Sequence, residues 1–190
     1  MFEKILIANR GEIAVRIIRA CKELNIKTVA IHSDVDSDAM HVRLADESIC
    51  VGSALPNNSY LNIPNIVSAI EITGADAVHP GYGFLSENDK FADILTKHDV
   101  KFIGPSSKSI LELGNKSNAL KLANKHGLPI LGNEDAKNIN TTKDAVNIAN
   151  DIGLPVVIKA AYGGGGKGMR VFNKIEEINQ YFTQLKTEAK

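Results

Sequence analysis

The chain has 190 residues, 22 basic and 22 acidic side chains, 44% hydrophobic and 5% aromatic residues, and no Trp. That is the composition of an ordinary globular protein, long enough for one domain plus part of a second and too short for a large multidomain enzyme. A formal charge of +0 with interspersed signs excludes the Lys/Arg cluster that nucleic acid or an anionic membrane surface requires, and no apolar run approaches the ~20 residues of a membrane span.

The N-terminus, Met1-Phe2-Glu3-Lys4-Ile5-Leu6-Ile7-Ala8, carries an acid at once and has no small-residue cleavage site. It reads as a strand rather than a secretion signal, and the expected compartment is the cytosol. Residues 4–8 form this buried strand. Residues 11–24 then place Ile13, Ile17, Ile18, Cys21 and Leu24 at helical spacing, and residues 27–31 form a second strand, completing a β-α-β unit. Further strands are expected at 48–51, 76–79 and 101–103, with helices near 63–73 and 87–97, the second capped by Ser86. Cys21, on the apolar side of a helix, and Cys50, in a short β-like run, are too few and too far apart for a disulfide framework or a metal site. Both are expected to be buried, reduced thiols.

Strands alternating with helices predict an α/β fold with a parallel sheet covered on both faces. Ligands in such sheets sit beyond the carboxyl ends of the strands, here residues 9–12, 32–34 and 79–83. The punctuation changes at Gly104-Pro105. Helices are expected at 106–113 and 116–126, broken at Gly114-Asn115 and stopped by Gly127-Leu128-Pro129. From residue 130 the pattern predicts a helix near 141–152, a strand at 156–160, a glycine run, a strand at 169–172 and a helix from about residue 174. No Gly or Pro stops that helix before Lys190, so the chain is expected to end inside a domain.

The most informative segment is Lys159-Ala160-Ala161-Tyr162-Gly163-Gly164-Gly165-Gly166-Lys167-Gly168-Met169. Consecutive glycines between strands are entropically costly, and a simple hairpin needs only a two-residue turn. Side-chain-free backbone can wrap closely around phosphate oxygens and donate several N–H groups, while Lys167 and Lys159 supply ammonium charge. This is the chemistry of a lid over a triphosphate. It is not a P-loop, because no Gly-Lys-Ser/Thr follows and no helix starts there. Asn9-Arg10-Gly11-Glu12 lacks the three-glycine spacing of a dinucleotide site, which disfavours an NAD-dependent oxidoreductase. The segment His79-Pro80-Gly81-Tyr82-Gly83-Phe84-Leu85-Ser86-Glu87-Asn88 gathers a His, an aromatic, a carboxylate and turn formers at a strand end, where loops carry function.

With these segments in place, the chain resembles biotin carboxylase along its whole length, through residues 4–14, 60–64, 79–88, 102–105 and 159–170. The resemblance implies a Rossmann-like (pre-ATP-grasp) domain in residues 1–113, a helical connector in 114–130 and an incomplete ATP-grasp lid subdomain in 131–190. It further implies ATP-dependent carboxylation of carrier-bound biotin, with bicarbonate activated as carboxyphosphate. Lys116, Lys159, Gly164, Gly165, Gly166, Lys167 and Met169 are similar to family positions at ATP, and Tyr82, Gly83 and Glu87 to positions near biotin. No residue of the chain is identified as catalytic. The expected cofactors are ATP, biotin as carrier-bound substrate, and Mg2+ with ligands beyond Lys190. The expected partners are a biotin carboxyl carrier protein or domain, a carboxyltransferase, and a second copy through Arg19 and Glu23, which also suit an ordinary i, i+4 surface pair.

Lys167 stands where many members have Arg, Tyr162 where Gly is frequent, and Asn115 where Asp is common. These departures bear on the parent, which is either the biotin carboxylase subunit of acetyl-CoA carboxylase or the matching domain of a pyruvate or acyl-CoA carboxylase. The fragment is expected to be inactive alone and to bind ATP weakly. Competing readings are another ATP-grasp ligase, such as a carbamoyl-phosphate or purine-pathway synthetase, and a noncatalytic nucleotide-binding module. The block 79–88 disfavours the former.

Overall fold

The computed structural model describes residues 2–130, 139–159 and 169–188, with backbone alone at 116–117 and 185–188. The chain divides into two compact units, Met1–Leu111 and Glu112–Lys190.

The first unit is built on strands β1 (Lys4–Ile7), β2 (Lys27–Ser33), β3 (Glu47–Gly52), β4 (Ala77–His79) and β5 (Lys101–Phe102). They form a five-stranded parallel sheet in the order β3-β2-β1-β4-β5. Helices α1 (Gly11–Glu23), α2 (Met40–Leu44), α3 (Ile63–Thr73) and α4 (Asp89–Lys97) connect them. The run Ile5-Leu6-Ile7-Ala8 is apolar throughout because β1 is central and buried on both faces. Ile5 and Ile7 pack with Ala14, Ile17, Ile18 and Cys21 of α1. Leu6 and Ala8 point the other way, into a core with Ile66 and Ile70 of α3 and Phe91 and Leu95 of α4. The predicted parallel α/β sheet is therefore present.

Two expectations are corrected. Ser86 does not cap the helix after β4; α4 begins at Asp89, and Asn88 Oδ1 accepts the N–H of Phe91 at 2.8 Å. Gly83 and Phe84 have φ of 68° and 42°, and the Ser86 N–H closes a turn on Gly83 O at 2.9 Å, so the chain straightens into a helix two residues later than expected. Cys21 is buried, but Cys50 is exposed. It lies on edge strand β3, where Ile49 and Val51 face the α3 side and the alternate residues face outward. Finally, α2 is absent from the sequence reading because five residues are too short to show a period.

In the second part of the chain, α5 (Ser107–Gly114) and α6 (Lys116–Lys125) precede α7 (Thr142–Ile152), β6 (Val156–Lys159), β7 (Met169–Phe172) and α8 (Ile175–Glu188). Thr141 and Asp144 form a capping box that satisfies the first donors of α7. β6 and β7 pair antiparallel, Val156 opposite Phe172 and Lys159 opposite Met169. Phe172, Ala145 and Ala149 of α7, and Ile178 and Phe182 of α8 make the core of this unit.

Candidate functional site

In the order β3-β2-β1-β4-β5 the connections reverse direction between β1 and β4, and in open α/β sheets the crevice outside the carboxyl ends at such a reversal is where ligands bind. The loops after them are residues 8–10 and 80–88, and they are tied together. Asn9 Nδ2 donates to Pro80 O at 2.7 Å and to Tyr82 O at 2.8 Å, and Asn9 Oδ1 accepts the Arg10 N–H at 2.9 Å. The Tyr82 hydroxyl donates to Glu12 Oε1 in the first turn of α1, and this bond to a carboxylate raises the phenol above its ordinary pKa. Tyr82 is 60% exposed, and Gly83 and Glu87 are also exposed. The structure thus gathers Tyr82, Gly83 and Glu87 on one loop at this crevice. At its base, His79 Nδ1 accepts the Gly81 N–H at 3.0 Å, which leaves the proton of the neutral ring on Nε2, and burial lowers the pKa of His79.

A second layer supports the loop. Phe84 stacks on the ring of Tyr60 with centroids 5.2 Å apart. The fully buried Tyr60 donates its hydroxyl to Asp36 Oδ2 at 2.5 Å and accepts the Ser33 N–H at 2.9 Å. Asp36 also accepts from Ser33 Oγ and from Arg10 Nη2, both at 2.9 Å, and the Arg10 guanidinium lies 5.4 Å from the Tyr60 ring centroid. Burial alone would raise the Asp36 pKa, but the hydroxyls of Tyr60 and Ser33 and the charge of Arg10 outweigh it and the net shift is downward. Sequence reasoning marked Asn9 only as part of a strand-end turn and Tyr60 only as part of the resembling stretch 60–64, with no role for either, and it missed Asp36. Their signal is topological: each flanks a strand end that only the sheet order brings together.

On α1, Arg19 and Glu23 are exposed and do not pair with each other; the i, i+4 ion pair of that helix is Glu12 with Arg16, at 3.9 Å. Arg16, Arg19 and Met40 border a groove of about 390 Å³ between α1 and α2.

In the second unit, Lys159 and Met169 form the terminal pair of the hairpin. Period-2 alternation puts them on one face with the opposed pair Val157 and Val171, and all four are exposed. The opposite face buries Phe172. An ammonium beside half-exposed apolar side chains suits a ligand that is anionic at one end and apolar at the other. Lys116 opens α6, which Asn115 Oδ1 caps through the Asn118 N–H at 3.1 Å. The Lys116 side chain, and Gly164, Gly165, Gly166 and Lys167, lie outside the described residues.

Residues 1–110 match the family model for the biotin carboxylase N-terminal domain, more than half of the chain. The chain belongs to the biotin carboxylase family. Residues 115–190 match the model of the carbamoyl-phosphate synthase L chain ATP-binding domain. Biotin carboxylase of Haemophilus influenzae is 52% identical over 190 residues, covering 100% of this chain and 42% of the relative. The mitochondrial propionyl-CoA carboxylase alpha chain of Homo sapiens is 52% identical over 188 residues, covering 99% of this chain and 26% of that protein. Among solved structures, the biotin carboxylase–β,γ-ATP complex of Campylobacter jejuni superposes with a TM-score of 0.93 at 44% identity, covering 100% of this chain and 42% of that one. A Hydrogenobacter thermophilus 2-oxoglutarate carboxylase biotin carboxylase domain dimer, crystallised with MgADP, ADP and bicarbonate, gives 0.92 at 43% identity, covering 100% and 41%. The chain therefore spans about two-fifths of the length of the biotin carboxylases it matches and corresponds to their N-terminal portion. Among the described residues, no helix is long and apolar enough to cross a membrane.

Proposed function

We propose that this chain is the N-terminal part of an enzyme that carboxylates carrier-bound biotin with ATP and bicarbonate through a carboxyphosphate intermediate. The observation that carries the reading is the 52% identity to a biotin carboxylase across all 190 residues, which spans both units. Residues 1–113 are assigned to the Rossmann-like domain, 114–130 to the connector and 131–190 to part of the ATP-grasp lid.

In this reading Tyr82, Gly83 and Glu87 lie against the biotin ring, on a loop already fastened to β1 and α1. Lys159, with Met169 opposite it, meets ATP at the exposed hairpin face; Lys116, Gly164, Gly165, Gly166 and Lys167 complete the contacts to the phosphates. Phosphoryl transfer depends on positioning and charge neutralisation, which lysines and backbone N–H groups supply. Among the described residues no group of three or more His, Cys, Asp or Glu side chains is arranged to hold a metal. We assign no magnesium ligand among those residues. The partners we assign are a biotin carboxyl carrier protein or domain, a carboxyltransferase, and a second copy docking through Arg19 and Glu23. The groove bordered by Arg16, Arg19 and Met40 and the unpaired state of Arg19 with Glu23 support the last of these. The cytosol is the assigned compartment.

The test is a chimera in which this chain replaces the matching portion of the Haemophilus influenzae enzyme. Its ATP hydrolysis should require bicarbonate and rise with free biotin. Hydrolysis indifferent to both, by a folded chimera, contradicts the proposal.

A further inference from the structure

Asn9 follows β1 and is 3% exposed, a burial that a carboxamide tolerates only when its polar atoms are partnered. Here both Nδ2 hydrogens go to carbonyls of one loop, at 2.7 Å to Pro80 and 2.8 Å to Tyr82, while Oδ1 receives the Arg10 N–H at 2.9 Å. The partners fix the amide's orientation, since the reversed amide would set its oxygen against two carbonyls. Gly81 lies between the two clamped carbonyls at φ +65°, and a Cβ there would fall 2.8 Å from Asn9 Nδ2 and 3.2 Å from Ile13 Cγ1. The loop is thus moulded on the carboxamide, and glycine permits both the close approach and the left-handed turn.

We propose that Asn9 is a positioning residue that presents Tyr82 and Gly83 to the ureido ring of biotin, an inference that rests on the assignment of this loop to biotin. Its amide grips the loop on both sides of Gly81, immediately before the exposed tip. The supports from Glu12 and Tyr60 hold side chains, the Tyr82 hydroxyl and the Phe84 ring; on the main chain, His79 holds the Gly81 N–H, and Asn9 holds the carbonyls on either side of it. A bound ring needs that main chain fixed to a fraction of an ångström, so loss of the grip weakens biotin capture without touching ATP. Asn9→Asp is nearly isosteric and keeps the acceptor for Arg10, but it turns an anionic oxygen toward the two carbonyls.

The test combines kinetics of the chimera with NMR of the 190-residue chain. In the chimera, Asn9→Asp should raise the KM for free biotin by about ten-fold or more while the KM for ATP stays within about two-fold. Gly81→Ala, which presses on the same contact from the other side, should give the same split. In the wild-type chain the Asn9 side-chain amide hydrogens should exchange at least about ten-fold more slowly than those of exposed asparagines. In the chain carrying Asn9→Asp, the Gly81 amide, bonded to His79 Nδ1 only while the loop is held in place, should lose protection as the loop comes loose. Equal changes in both KM values, or fast exchange of the wild-type Asn9 amide, overturn the proposal, the second even if neither variant folds. A wild-type chimera without biotin dependence sinks the assignment of the loop to biotin instead, and the exchange measurements still decide whether Asn9 holds the loop.

Discussion

Replacing Tyr60 by Phe removes a single oxygen and keeps the ring, so it opens no cavity and preserves the stack on Phe84. What it deletes is the hydroxyl that donates to Asp36 at 2.5 Å and accepts the Ser33 N–H at 2.9 Å. Ser33 is fully buried, and stranding its N–H costs about 1–3 kcal/mol. The lost bond to the Asp36 carboxylate adds about 1.5 kcal/mol, the lower end for a charged acceptor because Ser33 Oγ and Arg10 remain. The expected destabilisation is roughly 3 kcal/mol, or roughly 10–20 °C for a domain of about this size. The assay is urea unfolding followed through amide signals of β1 and β2, so that the first unit alone is read. Asp36 has a lowered folded pKa, so its contribution is full above the unfolded carboxylate value near about 4 and is lost as pH falls through the folded value. The gap between wild type and Tyr60→Phe should therefore narrow below about pH 4 as Asp36 protonates, leaving the cost of the stranded N–H. A loss below about 1 kcal/mol at neutral pH would refute the view that this hydroxyl pins the strand ends together.

Burial lowers the pKa of both His41 and His79 in the fold, so the unfolded state binds more protons as pH falls below about 6.5, and stability should decline from there toward pH 5; a flat unfolding midpoint across that window counts against these placements. Cys50 is exposed, whereas Cys21 is buried with its thiol pKa raised by burial and the nearby Asp46. A disulfide reagent should accordingly modify Cys50 alone in the native chain and both thiols after denaturation, as read by mass spectrometry. In the chimera, Lys159→Gln should lower kcat/KM for ATP by about 100-fold, the scale of about 3 kcal/mol for a charged phosphate contact, with unfolding unchanged because the side chain is exposed. Unaltered kinetics would remove Lys159 from the site.

The elements that were legible in the sequence are those whose periodicity is long or whose stops are chemically explicit. Helix α3 runs Ile63–Thr73 as read, because Asn62 caps it, Pro64 fits its first turn and Gly74 ends it in a left-handed conformation. The continuous apolar run of β1 marked a strand buried on both faces. The block 79–88 could be singled out because a His, an aromatic, a carboxylate and turn formers follow a strand end; Tyr82, Gly83 and Glu87 within it were named through the resemblance. The tie holding them could not be read, because Asn9 and Tyr82 are 73 residues apart and meet only through the β1–β4 pairing. The link among Ser33, Asp36 and Tyr60 was likewise hidden, although 32–34 was marked as a strand end and 60–64 as a resembling stretch, because it forms only where the β2 end and the turn before α3 converge. Ser86 and Cys50 failed for local reasons. Left-handed residues at 83 and 84 delayed a helix, and an edge strand left one face open.

The most direct measurement is transfer of label from ¹⁴C-bicarbonate to a biotinylated carrier by the chimera in the presence of ATP. Acid-labile radioactivity on biotin, dependent on ATP and abolished when Lys159→Gln and Gly83→Val are combined, is the predicted result. ATP consumption by a folded chimera with no label reaching biotin would contradict the assignment of these residues to biotin carboxylation.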